Sequence, residues 1–192
     1  MRLVVTSEFQ TFFLASVGAS AALIGLLFVS VSVAPERVFG QQSEAVRQAQ
    51  ALSAFTALTN IFFISLLSLV PDVRFGIVVT IVSVPAALQT LALLGLVRQW
   101  RTAGNVARGA FLFLGSVGLY AYEFVLGIQL WRDPTDKGVL INLLLVLMGA
   151  YAVGLGRAWE LLGAPRTGLL GYVRPAITAL RRREPGGRRP KP

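Results

Sequence analysis

The sequence predicts an all-α membrane protein with five transmembrane helices. Three observations lead there. The 192-residue chain is 55% hydrophobic and only 14% charged, too little charge to coat a soluble domain of this length. Its mean hydropathy is +0.67. Apolar stretches of about 20 residues recur along it, each long enough to cross a bilayer core of roughly 30 Å.

The first stretch is "FFLASVGASAALIGLLFVSVSVA", Phe12 to Ala34. It is longer than the 7–15-residue apolar core of a typical signal peptide, and only Arg2 precedes it against Glu8. It is expected to be a retained helix. The polar "PERVFGQQSEAVRQAQ" follows, with Ser43 placed as an N-cap and Glu44 and Arg47 spaced i,i+3. The second span is expected over about Ala51 to Val70, and "PDVRFG" turns the chain into a third over about Phe75 to Val97. "RQWRTAGNVAR" is a basic loop. The fourth span covers about Gly109 to Trp131, "RDPTDKG" is a turn broken by Pro134, and the fifth covers about Val139 to Gly163. Residues 1–164 thus form one bundle. Residues 165–192 form a basic tail, part interfacial around Leu169 to Leu180 and disordered from Arg181 onward.

Lysine and arginine set the orientation. With the C-terminus in the cytoplasm, that side collects Arg37, Arg47, Arg98, Arg101, Arg108 and the whole tail. The outside keeps Arg2, Arg74, Arg132 and Lys137. The asymmetry predicts N-out, C-in. Trp100, Trp131 and Trp159 fall near span ends, where interfacial aromatics belong. Much of the net charge of +9 sits in the tail, which points to anionic lipid rather than nucleic acid.

The chain has no Cys and no His, which excludes a disulfide framework and the usual thiolate or imidazole metal sites. No Ser/His/Asp set, HExxH motif or Gly-rich phosphate loop is present, so neither an enzyme nor a bound cofactor is expected. Asp133 and Asp136 read as turn residues before they read as cation ligands.

One residue breaks the apolar pattern. Glu123 lies near the middle of the fourth span, where a carboxylate is costly unless protonated, paired or wetted. Ser116, Tyr120, Glu123 and Gly127 share a stripe by their 4-3-4 spacing. The second span offers Ser53, Thr56 and Asn60. The third offers Thr80, Ser83, Ala87 and Thr90, with Gln89 beside them and Pro85 freeing a carbonyl one turn back. A buried polar layer of Glu123, Asn60, Tyr120 and either Gln89 or Thr90 is expected. It reads either as a packing anchor or as a proton- or cation-handling site. Arg157 and Glu160, i,i+3 in "GLGRAWELLG", are expected to snorkel to the cytoplasmic interface as an ion pair. Ala15/Ala19, Gly18/Ala22 and Ala21/Gly25 are small-xxx-small pairs on the first helix, suited to packing within one subunit or to self-association.

"FFLASVGASAALIGLLFVSVSV" and "GLGRAWELLG" resemble a group of small bacterial integral membrane proteins, a group that brings no established activity. The resemblance implies a multi-pass protein of the bacterial inner membrane. "SAALIGLLFVSV" followed by "AFTALTNIFFISLLSLV" is also similar to the first two helices of the Orai calcium channels. That family places a filter glutamate at the outer end of its first helix, where this chain has Val33, and keeps its N-terminus in the cytoplasm. What that likeness implies is an oligomer whose small-residue first helix faces an axis. Two functions follow as expectations: a non-enzymatic accessory or regulatory membrane subunit that binds a membrane-protein partner, or a small homo-oligomeric ion- or proton-conducting protein with Glu123 in the path.

Overall fold

The computed structural model describes residues 7–33, 35, 45–92 and 106–161, apart from the side chains at 7, 45–47, 106–113 and 160. Five α-helices make up the described residues: α1 (Ser7–Val33), α2 (Ala45–Ser68), α3 (Phe75–Ala92), α4 (Val106–Arg132) and α5 (Lys137–Leu161). Four of them, α1, α2, α3 and α5, are long and apolar enough to cross a membrane. This is the architecture of a multi-pass membrane protein. The remaining helix, α4, carries Glu123 between Tyr120 and Gln129, and the side chains of its first eight residues lie outside the described ones. The expected N-cap Ser43, the loop at 93–105 and the tail lie outside the described residues.

The surface supports the same reading. Large apolar side chains stand exposed on every helix: Leu14 and Val29 on α1, Phe63 on α2, Ile81 and Leu88 on α3, Val125 on α4, Leu145 and Met148 on α5. Among the described side chains, the exposed charges sit at helix ends and in turns: Glu8, Asp72, Arg74, Arg132, Asp133, Asp136 and Lys137. Among the described side chains, the buried charged ones are Glu123 and Arg157. Trp131 and Trp159 are exposed near the ends of their helices.

Two tight turns close the bundle at one end. Between α2 and α3, the amides of Leu69 and Val70 reach back to the carbonyls of Leu66 and Leu67, and Asp72 takes φ 59°. Asp tolerates that left-handed conformation better than most residues because its short side chain bonds locally. Between α4 and α5, the Asp133 carboxylate accepts from the Thr135 amide at 2.9 Å and hydroxyl at 2.6 Å. These bonds hold its carboxyl below the usual range. Asp136 caps α5 by accepting from the amides of Gly138 and Val139 at 2.8 and 3.1 Å. Both aspartates are thus engaged in turn chemistry.

α2 is the hub. It packs against α1, α3 and α5. Its apolar span is 56% buried, against 33% at most for the other three. α3 and α4 form the closest pair, antiparallel, because Gly76 lets the backbone of Leu130 and Trp131 approach and Gly127 does the same for Thr80. α1 is pinned near its start. Tyr151 of α5 donates to the Ser16 carbonyl at 2.6 Å, and Phe13 packs edge-on against Phe75 of α3.

The interior divides in two. Toward the tight turns it is apolar, with Phe13, Ile61, Ile64, Phe75, Val79, Leu126, Leu130, Leu140, Leu143 and Leu147 in one cluster. Away from those turns the buried side chains are mostly small or polar, with Leu58 among them: Ser53, Ala54, Thr56, Ala57 and Asn60 on α2, Ser83, Ala86 and Thr90 on α3, Ser116, Tyr120 and Glu123 on α4.

The glycines give a direct test. A methyl at Gly127 would lie 2.6 Å from the Thr80 hydroxyl and 2.8 Å from its backbone nitrogen, whereas one at Gly18 or Gly25 meets nothing within 4 Å. Gly127→Ala is expected to lower unfolding stability in detergent micelles by ~1–3 kcal/mol. Gly18→Ala and Gly25→Ala are expected to stay within ~0.5 kcal/mol of the parent. Equal costs at all three positions would contradict the α3–α4 packing.

Candidate functional site

Glu123 is placed by the α3–α4 pair and met from α2. The close approach at Gly127 turns the next turn of α4 inward, so Glu123 has no solvent exposure at all. Asn60, 3% exposed, points at it across the bundle. The Asn60 Nδ2 donates to both carboxyl oxygens, at 3.0 Å to Oε1 and 2.8 Å to Oε2. The amide nitrogen therefore sits astride the carboxyl group. The Asn60 Oδ1 is buried without a hydrogen-bond partner, as is the neighbouring Thr59 hydroxyl.

The other polar residues expected in this layer are distributed along it. Tyr120 is buried one turn from Glu123 on the same face of α4. Thr90 is buried, but its hydroxyl donates to the Ala86 carbonyl of its own helix at 2.7 Å. Gln89 is only half-buried. The contacts of Gly76 with Leu130 and Trp131 and of Gly127 with Thr80 fix the α3–α4 register. Carried along both helices, that register sets Ser83 opposite Glu123 and Thr90 opposite the Ser116 level. Ser83 is fully buried and donates to the Thr80 carbonyl at 2.9 Å. Pro85 and Ile81, whose carbonyl the proline frees, are both on the exposed face of α3. That carbonyl is not part of the buried layer.

Arg157 departs from its expected placement. An arginine near a helix end ordinarily extends its head group toward the interface. Here the side chain is 9% exposed and turns into the bundle, where Nη2 donates to the Ser116 hydroxyl at 2.8 Å. Gly154, one turn before it, lies against Ala57 and Leu58 of α2. The expected pairing with Glu160 rests on a side chain outside the described residues.

A polar column results. It runs from Asn60 and Glu123 through Tyr120 to Ser116 and Arg157. Ser116 and Glu123 are seven residues apart on α4, roughly 10 Å along its axis. The column holds one acidic and one basic side chain with hydroxyl and amide groups around them. It contains no imidazole or thiol, and among the described residues no three carboxylate, His or Cys side chains gather as a metal site. The arrangement is suited to tying helices together and to holding or passing a proton. Sequence reasoning had no signal for the inward Arg157 beyond the Gly154-x-x-Arg157 spacing, or for the Ser16–Tyr151 tie beyond a tyrosine at mid-span.

The chain matches no family model, no curated protein and no solved structure.

Substitutions separate the column from its surroundings. Ser116→Ala removes the acceptor for a buried guanidinium N–H and is expected to cost ~1–3 kcal/mol of stability. Thr90→Val removes a hydroxyl that bonds only within its own helix and is expected to cost under ~1 kcal/mol. Thermal unfolding of the two variants in the same detergent checks the order. A larger loss for Thr90→Val would contradict the assignment.

Proposed function

We propose that the protein is a non-enzymatic accessory or regulatory subunit of the bacterial inner membrane that binds a partner's transmembrane helix along the outer face of α1. One observation carries this reading. Ala15, Gly18, Ala19, Ala22 and Gly25 all face outward, and the positions of Gly18 and Gly25 are open. The bundle uses the opposite face of α1, through Phe13, Ser16, Ser20 and Leu27. Lipid gains nothing from small residues, whereas a second helix gains close backbone approach. The burial of Glu123 under Asn60 agrees with a structural anchor.

In this reading α4 is the fifth span. Its 27 residues extend roughly 40 Å, enough for the hydrocarbon core. Its least lipid-compatible side chain, Glu123, is turned inward. The chain runs N-out, C-in, and its basic tail meets anionic lipid. The absence of cysteine makes topology easy to test. A single cysteine at Thr135 should react with a membrane-impermeant maleimide from the periplasmic side of intact cells. Labelling only after membrane disruption would contradict the orientation.

Partner binding is tested by a photo-crosslinking residue at Ala22 in native membranes. A discrete protein adduct is expected there and lost on Gly18→Leu, with none from Leu145 on α5. An adduct of twice the chain mass would identify the partner as a second copy. Lipid adducts alone would contradict the reading.

The polar column favours a second reading, a small homo-oligomeric proton- or ion-conducting protein with Glu123 in the path. Reconstituted liposomes separate the two. The accessory reading predicts no proton, sodium or potassium flux. Flux abolished by Glu123→Gln would replace it with conduction.

A further inference from the structure

We propose that Glu123 and Asn60 form a proton-binding site, in which Glu123 carries one proton at neutral pH and pairs with the Asn60 amide through two hydrogen bonds. Two deficits lead to this. A fully buried carboxyl group faces a neutral amide as its hydrogen-bonding partner. Beside it, the Asn60 Oδ1 is buried with nothing to accept from. One proton answers both. It neutralises the carboxyl group and creates an O–H donor for which Oδ1 is the waiting acceptor. A pivot of the Asn60 amide moves Nδ2 from its place between the two oxygens onto one of them and brings Oδ1 to the other. The result is a closed ring of O–H donating to Oδ1 and N–H donating to the carbonyl oxygen. The proton comes from a hydronium ion: one of its O–H bonds breaks, leaving water, as the O–H bond of Glu123 forms, and release is the reverse.

The surroundings allow this. Between Gln48 and Ser68, α2 has no charged or titratable side chain, and neither has α3. Facing the pair from α4 is Tyr120, one turn away, itself buried. α5 contributes Tyr151, which donates to the Ser16 carbonyl, and Arg157, which favours the ionised form but is directed to Ser116, two turns along α4. α1 contributes Glu8, an exposed residue at its far end. The inference does not depend on partner binding at α1. A closed acid–amide pair keeps its proton whether or not ions cross the membrane.

Infrared spectroscopy of the full chain in lipid nanodiscs at pH 7 tests it. One protonated carboxyl C=O band per chain is expected, shifting on exchange into deuterium oxide. Glu123→Gln should remove the band, and Glu123→Asp should displace it. Asn60→Ala should move it to the position of a more weakly hydrogen-bonded acid. If either Glu123 variant fails to fold, the other decides. A spectrum without such a band, or a band indifferent to the Glu123 variants, would overturn the site. A band lost with Glu123 but unmoved by Asn60→Ala would overturn the pairing.

Discussion

A carboxyl group deep inside a membrane bundle needs a hydrogen-bonding partner from another helix, and here Asn60 supplies it. The amide nitrogen meets both oxygens of Glu123, at 3.0 and 2.8 Å. The bond joins α2, which packs against α1, α3 and α5, to α4, which lies closely along α3. Much of the remaining structure follows from this tie. If Glu123 is to point at α2, α4 must lie close along α3, and Gly76 and Gly127 permit that approach. If α2 is to reach α4, it must run through the middle of the bundle, with α1 and α5 around it.

The same tie explains why the interior is divided. Toward the two short turns, packing rests on interlocking apolar side chains, whose volume has to fit. Away from them, small residues bring the backbones together and leave a narrow column for polar side chains. Arg157 enters that column because Ser116 offers an acceptor inside the bundle. Meanwhile α1 is fastened by the Ser16–Tyr151 bonds and by Phe13, all on one side, so its small-residue face remains outward.

The fold class was legible because lipid solvation acts on whole segments: long apolar runs and their charged breaks mark the helices regardless of how those helices pack. Glu123 was legible as an exception to that rule, and Asn60 as a polar side chain at similar depth on a facing stripe. The third helix's contribution was not. Gln89 and Thr90 are adjacent and lie about two turns from Ser83, and only the glycine contacts set which of them lies level with Glu123. Arg157 was read as a residue reaching outward. Sequence alone carries no information about an acceptor on another helix, and Ser116 lies 41 positions away along the chain.

The central claim is that Asn60 and Glu123 act as one unit tying α2 to α4. A double-mutant cycle tests it most directly, using Asn60→Ala, Glu123→Ala and the double variant, with unfolding free energies measured in mixed micelles. The account predicts that the double variant loses less than the sum of the single losses, by ~1 kcal/mol or more, since either substitution already breaks the pair. Strictly additive losses would mean that the two side chains do not interact, and the organisation of the bundle around them would be wrong.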